Sequence, residues 1–200
     1  VVRGEYANMI ANSDFTQVIE RMRISTRLLW VLLLGLTIPP VLSAEPLYDL
    51  INQRLGYMKD VAVHKAKLNM PLEDKAREQV VLSASVEKAR RLGLDAGSVE
   101  AFFMSQINIA KAIQRRYHQE WALQEDHAGF PLPDLSGTIR PALSRLGDEI
   151  IEALPVYLNR YELIAESQRR EFYQTLTVDH LTEQDKKQLF DTLLGVHLAR

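Results

Sequence analysis

Two hundred residues with 46% hydrophobic and 25% charged side chains are enough for one domain with a substantial core, and exclude a collagen repeat, a coiled-coil rod or a disordered tail. With 24 Lys and Arg against 26 Asp and Glu the formal net charge is -2, so no bulk field recruits nucleic acid or an anionic membrane, and any cationic site must be local. Cysteine is absent, which removes disulfides, zinc-thiolate centres and cysteine nucleophiles together.

Met22 opens the segment MRISTRLLWVLLLGLTIPPVLSAEP. Arg23 and Arg27 form a short basic start, an apolar run covers 28–36, Pro39 and Pro40 break it, and Ser43 and Ala44 are the small residues of a cleavage site. The stretch to Leu42 is 15 residues long, shorter than the ~20 needed to cross a bilayer as a helix. Residues 22–44 therefore read as an export signal peptide, with an uncleaved anchor tethering the bundle as the alternative. Residues 1–21 show neither an apolar core nor a clear period, and are expected to be an upstream extension ahead of a native start at Met22. Cleavage after Ala44 removes four basic and three acidic residues, leaving a working domain of 156 residues, 45–200, with 20 basic and 23 acidic side chains. That domain is expected to be periplasmic or secreted, without stable membrane insertion after cleavage.

Beyond Pro46 the apolar spacing is helical nearly throughout. Leu47, Leu50, Ile51, Leu55, Met58 and Ala62 recur at i, i+3, i+4 and i+7, predicting a first helix over 46–67. Pro71 suits the first turn of a second helix, carrying Leu72, Ala76, Val80, Leu82, Val86 and Ala89 and ending at Gly93. A third helix is predicted from about Ser98 to Leu123 and is followed by a Gly- and Pro-rich loop over 127–137. The fourth opens near Thr138 with Pro141 in its first turn and is broken or kinked at Pro155; 157–176 continues it. Thr182 and Asp185 make a capping-box start for a last helix ending before Gly195. The fold class is all-α, a single-domain bundle of about six helices without internal repeats.

The five histidines never take a two-ligand spacing with each other or with a Glu, Gly-rich phosphate loops after a strand are missing, and no nucleophile signature appears. A series of charges stands out instead. Arg54 and Lys65, eleven residues apart, are three turns plus about 20° on an α-helix and so share one face along ~16 Å. Asp74, Arg77 and Glu78, at i, i+3 and i+4, share a face of the next helix. Gln114 lies on or beside the apolar face formed by Ile107, Ala110 and Ile113, where an amide needs a partner. Charged side chains are also the usual covering of a solvated helix face, and periodicity does not separate the two readings.

The stretch LINQRLGYMKDVAVHKAKLNMPLEDKAREQVVL followed by GLDAGSVEAFFMSQINIAKAIQ resembles the all-helical (AroQ-class) chorismate mutases. In that family an Arg is followed eleven residues on by a Lys, nine later by an Asp, and three further by an Arg with a Glu directly behind it. Arg54, Lys65, Asp74, Arg77 and Glu78 match every step, and Gln114 matches the family's third-helix Gln or Glu beside the substrate's ether oxygen. The export signal and long C-terminal half resemble the secreted gamma subclass. The likeness is firm over 47–117 and loose over the extension 138–200.

The resemblance implies an isomerase that converts chorismate, a small dicarboxylate, to prephenate in aromatic amino acid biosynthesis (the shikimate pathway). It implies no cofactor or metal, no nucleic acid, and a possible homodimer. It further implies Lys65 and Gln114 as catalytic donors, and Arg54, Asp74, Arg77, Glu78 and Arg140 as substrate-binding residues. Two positions depart from the pattern. Cytosolic members place a further Arg about 17 residues before the first motif Arg, reaching the neighbouring subunit's site; Thr37 stands there, inside the expected signal peptide. The replacement cation is expected from the fourth helix, Arg140 first and Arg145 as alternate. Ala110 occupies a position where Ser or Thr is usual, which removes one hydrogen bond worth ~1 kcal/mol. These departures keep open a secreted helical binding protein that retains the motif without turnover.

Overall fold

The computed structural model describes residues 45–124, 129–160 and 165–200; the expected signal peptide over 22–44, the stretch 1–21 and His127 lie outside them. The described residues form α1 (Glu45–Gly56), α2 (Met58–Lys67), α3 (Lys75–Arg91), α4 (Ala96–Gln124), α5 (Arg140–Arg160), α6 (Ala165–Thr175) and α7 (Glu183–Leu194), with a π-helical turn Leu135–Ile139 ahead of α5. The class is all-α as the sequence predicts, and extended pairing among the described residues is limited to one isolated antiparallel bridge, Leu94 with Leu198.

Four boundaries differ from the predicted ones. The first helix is interrupted at Tyr57, but Tyr57 keeps right-handed backbone angles and its carbonyl accepts from Val61 N–H at 3.0 Å, so α2 resumes the ladder at once. The second helix starts at Lys75 rather than at Pro71, because Asp74 is the stronger cap: its Oδ1 accepts from Arg77 N–H at 3.0 Å. α5 begins at Arg140, the predicted turn at Thr138 being part of the π-helical turn, and it continues through Pro155 to Arg160. Proline removes one ladder bond there, but Ile151, Leu154 and Tyr157 around it are buried and hold the helix together.

Two glycines are required by geometry. Gly93 ends α3 with φ +70, in the left-handed region that other residues avoid. At Gly137 a Cβ would stand 2.5 Å from Asp134 Oδ2, and that close approach lets Asp134 cap the π-helical turn through Gly137 N–H at 2.9 Å. The capping box of α7 forms as predicted, Thr182 and Asp185 bonding reciprocally.

The long α4 is the spine: α2, α3 and α7 all pack on it, while α5 lies against α1 and α3, and α6 against α1. Phe102, Phe103, Phe172 and Phe190 are fully buried, each contributing roughly 1.5–3 kcal/mol by leaving water. Phe172 and Phe190 come from α6 and α7, so the C-terminal helices share one core with the helices that carry the charge series.

Candidate active site

The charge series faces inward. A cavity of about 230 Å³ opens between α1, α2, α3, α4 and the start of α5, and Arg54, Lys65, Asp74, Arg77, Glu78, Gln114 and Arg140 all line it. Its remaining wall is mostly apolar, including Val61, Val81, Ile107, Leu135, Leu143 and Ile151. Val80, read from the sequence as part of the buried face of its helix, is exposed at the rim.

Arg54 is 6% exposed; its Nη1 donates to Gln106 Oε1 at 3.5 Å, its guanidinium lies 5.9 Å from the Phe103 ring centre, and its Nε has no partner among the described residues. Burial, with the Arg77 charge adding to it, brings its pKa down to about 10, so it remains a cation at neutral pH. Lys65 is 8% exposed and donates one of its three N–H bonds to the Leu72 carbonyl at 2.5 Å. The loop before α3 thus turns its carbonyl to Lys65 instead of forming the helical turn predicted from Pro71. Burial also lowers the Lys65 pKa below its ordinary 10.5, helped by the charges of Arg140 and Lys111 and opposed by Asp74 and Glu78.

Gln114 is 4% exposed; its Nε2 donates to Met58 Sδ at 3.3 Å and its Oε1 has no partner among the described residues. Thioether sulfur is a weak acceptor, so this donor is available to any better acceptor entering the cavity. Arg77 donates to Ser144 Oγ at 2.9 Å, and Arg140 is paired with Asp74 Oδ2 at 3.1 Å. Arg145 points elsewhere, to Glu149 on its own helix at 2.8 Å, and does not line the cavity. Between the two arginines that the sequence left open, only Arg140 reaches the site.

Three further residues belong to the site without having been predicted. Lys111 lines the cavity and holds Glu78 Oε2 at 3.0 Å, Ser144 receives Arg77, and Gln106, fully buried, receives Arg54. Gln106 and Ser144 are unremarkable polar residues in the sequence, and Lys111 reads as an ordinary helix-surface lysine. Its partner is 33 residues away on another helix, so no local spacing signals the pair. Among the described residues the lining carries five cationic side chains (Arg54, Lys65, Arg77, Lys111, Arg140) against three anionic ones (Asp74, Glu78, Asp148), a formal excess of two positive charges in a chain that is slightly negative overall.

Residues 45–115 match the family model for chorismate mutase type II. A secreted chorismate mutase of Yersinia pestis is 34% identical over 149 residues, 74% of this chain and 79% of that one. A monofunctional chorismate mutase of Enterobacter agglomerans is 37% identical over 152 residues, covering 76% and 82%. The chain belongs to the type II chorismate mutases. The crystal structure of the Yersinia pestis secreted chorismate mutase superposes with a TM-score of 0.69 at 33% identity, over 76% of this chain and 97% of that one. Within this chorismate mutase the matched segment 45–115 holds six of the seven predicted site residues, Arg54 to Gln114, while Arg140 lies beyond it on α5.

Proposed function

We propose that the cavity takes up chorismate as its compact diaxial conformer and rearranges it to prephenate, the bond to the ether oxygen breaking as a carbon–carbon bond forms. This single pericyclic step calls for no nucleophile or proton transfer. The site has two tasks, to hold the reactive conformer and to stabilise the negative charge that grows on the ether oxygen. Arginine suits the first because its planar fork grips a carboxylate in bidentate fashion, so Arg54, Arg77 and Arg140 take the two carboxylates and fix the orientation before reaction. Lys65 and the Gln114 amide take the second as donors held in place in advance, aimed at the ether oxygen. The substrate hydroxyl falls to Asp74, through its backbone, and to the Glu78 carboxylate. The excess of two positive charges in the lining answers a dianionic substrate.

The observation that carries this reading is the convergence of a buried ammonium, Lys65, and a buried amide, Gln114, on one cavity walled by three arginines. Purified protein mixed with chorismate is expected to convert it to prephenate, followed as loss of the chorismate absorbance. Absence of turnover in a protein that still binds a dicarboxylate transition-state analogue would instead leave the binding module.

Export is proposed on the same footing. The pattern over 22–44 and the description of the Yersinia pestis relative as secreted support it, and no helix among the described residues is long and apolar enough to cross a membrane. The exported protein is expected to begin at Glu45, which N-terminal sequencing reads directly.

A further inference from the structure

Lys111 has no part in the scheme above. It leaves α4 one residue after Ala110 and donates from Nζ to Glu78 Oε2 on α3 at 3.0 Å. The pair differs from a surface ion pair in two ways. It joins two helices across the cavity wall rather than neighbours on one helix, and both side chains are largely withdrawn from water, at 17% and 20% exposure. Screening there is weaker than at the surface, so the lysine can fix both the charge and the direction of its partner. A carboxylate offers two oxygens, and Lys111 occupies only Oε2.

We propose that Lys111 is a positioning residue for substrate recognition: it clamps Glu78 through Oε2 and so holds Oε1 where the ring hydroxyl of chorismate donates. The proposal rests on the reading of the cavity as a chorismate site. A second consequence of the same geometry is electrostatic. Four groups facing Lys65 set its proton affinity apart from burial: Asp74 and Glu78 raise it, Arg140 and Lys111 lower it. Loss of the Lys111 charge therefore makes Lys65 hold its proton to higher pH, an effect that a packing role would not produce.

The test is steady-state kinetics with pH profiles for the wild type, Lys111→Met, Lys111→Arg, Glu78→Gln and the Lys111→Met/Glu78→Gln double variant. Lys111→Met is expected to raise KM on the order of tenfold with kcat changed by less than about threefold, and Lys111→Arg to recover most of that loss. The double variant should be no worse than Glu78→Gln alone to within about threefold, because the lysine acts through the carboxylate. The alkaline limb of kcat/KM should move to higher pH in Lys111→Met. A Lys111→Met enzyme with wild-type KM, or losses that multiply in the double variant, would overturn the clamp alone. A wild-type protein that leaves chorismate unchanged would overturn the functional reading, and the clamp with it.

Discussion

Lys65 and Gln114 are both buried against the cavity wall, but only one of them titrates. Burial, together with Arg140 and Lys111, depresses the Lys65 pKa below 10.5, and only the ammonium form donates to the ether oxygen. The free enzyme should therefore lose kcat/KM as pH rises through that depressed value, while kcat, which reports the complex, falls at higher pH because the bound dianion favours the charged lysine. On the acid side the Gln114 amide has no proton to gain, and activity should stay nearly flat from pH 5 to 8; a steep acid optimum would count against its role. These residues could be recognised because the register of positions 54, 65, 74, 77 and 78, with Gln114 on the third helix, matches a family pattern that the sequence resembles; helical periodicity alone leaves a solvated face equally open. Lys111 could not, since its meaning comes from the packing of α3 on α4.

Helix by helix, caps and packing moved the boundaries that spacing alone had placed. Asp74 does two things at once: it starts α3 by accepting from Arg77 N–H, and it holds Arg140 with its other oxygen. Apolar spacing and the first-turn preference of proline favoured Pro71, but a carboxylate cap three residues before Arg77 outweighs them, and the freed Leu72 carbonyl goes to Lys65. The interruption at Tyr57 leaves Arg54 and Lys65 on one wall, so the face predicted for a continuous helix survives its division. A cap outside the cavity lining provides a control. Thr182→Ala removes one half of the α7 capping box and should lower stability by ~1 kcal/mol, measured by denaturant unfolding, with kcat/KM unchanged.

At the scale of the whole molecule the helices after Pro155, to which the sequence assigned no task, brace the backs of the site helices. Asn52, two residues from Arg54 on α1, accepts from Thr177 N–H at 3.0 Å, and Tyr48 on α1 meets Phe172 edge-on at 5.2 Å. On α4, two residues from Gln114, Arg116 donates to Asp185 at 2.5 Å and to the His180 carbonyl at 2.6 Å. Burial alone would raise the Asp185 pKa, but hydrogen bonds from Arg116 and Thr182 outweigh it and hold the carboxyl below its usual 3.8. The folded pKa being the lower one, this contribution to stability is complete above 3.8 and is lost as pH falls from there through the folded value. Asp185→Asn should reduce the melting temperature at neutral pH and flatten its dependence on pH below about 4, where the wild type loses this contribution. Apart from the Thr182–Asp185 capping box, none of this was legible in advance, because the contacts join residues 64 to 125 positions apart and only the packed bundle brings them together.

All three scales meet in the claim that a fixed ammonium stabilises the developing charge on the ether oxygen. The turnover number of Lys65→Ala, compared with the wild type at saturating chorismate, tests it most directly. A fall in kcat of ~10²–10³-fold in a protein that still folds is the predicted result; a Lys65→Ala enzyme with wild-type kcat would contradict it.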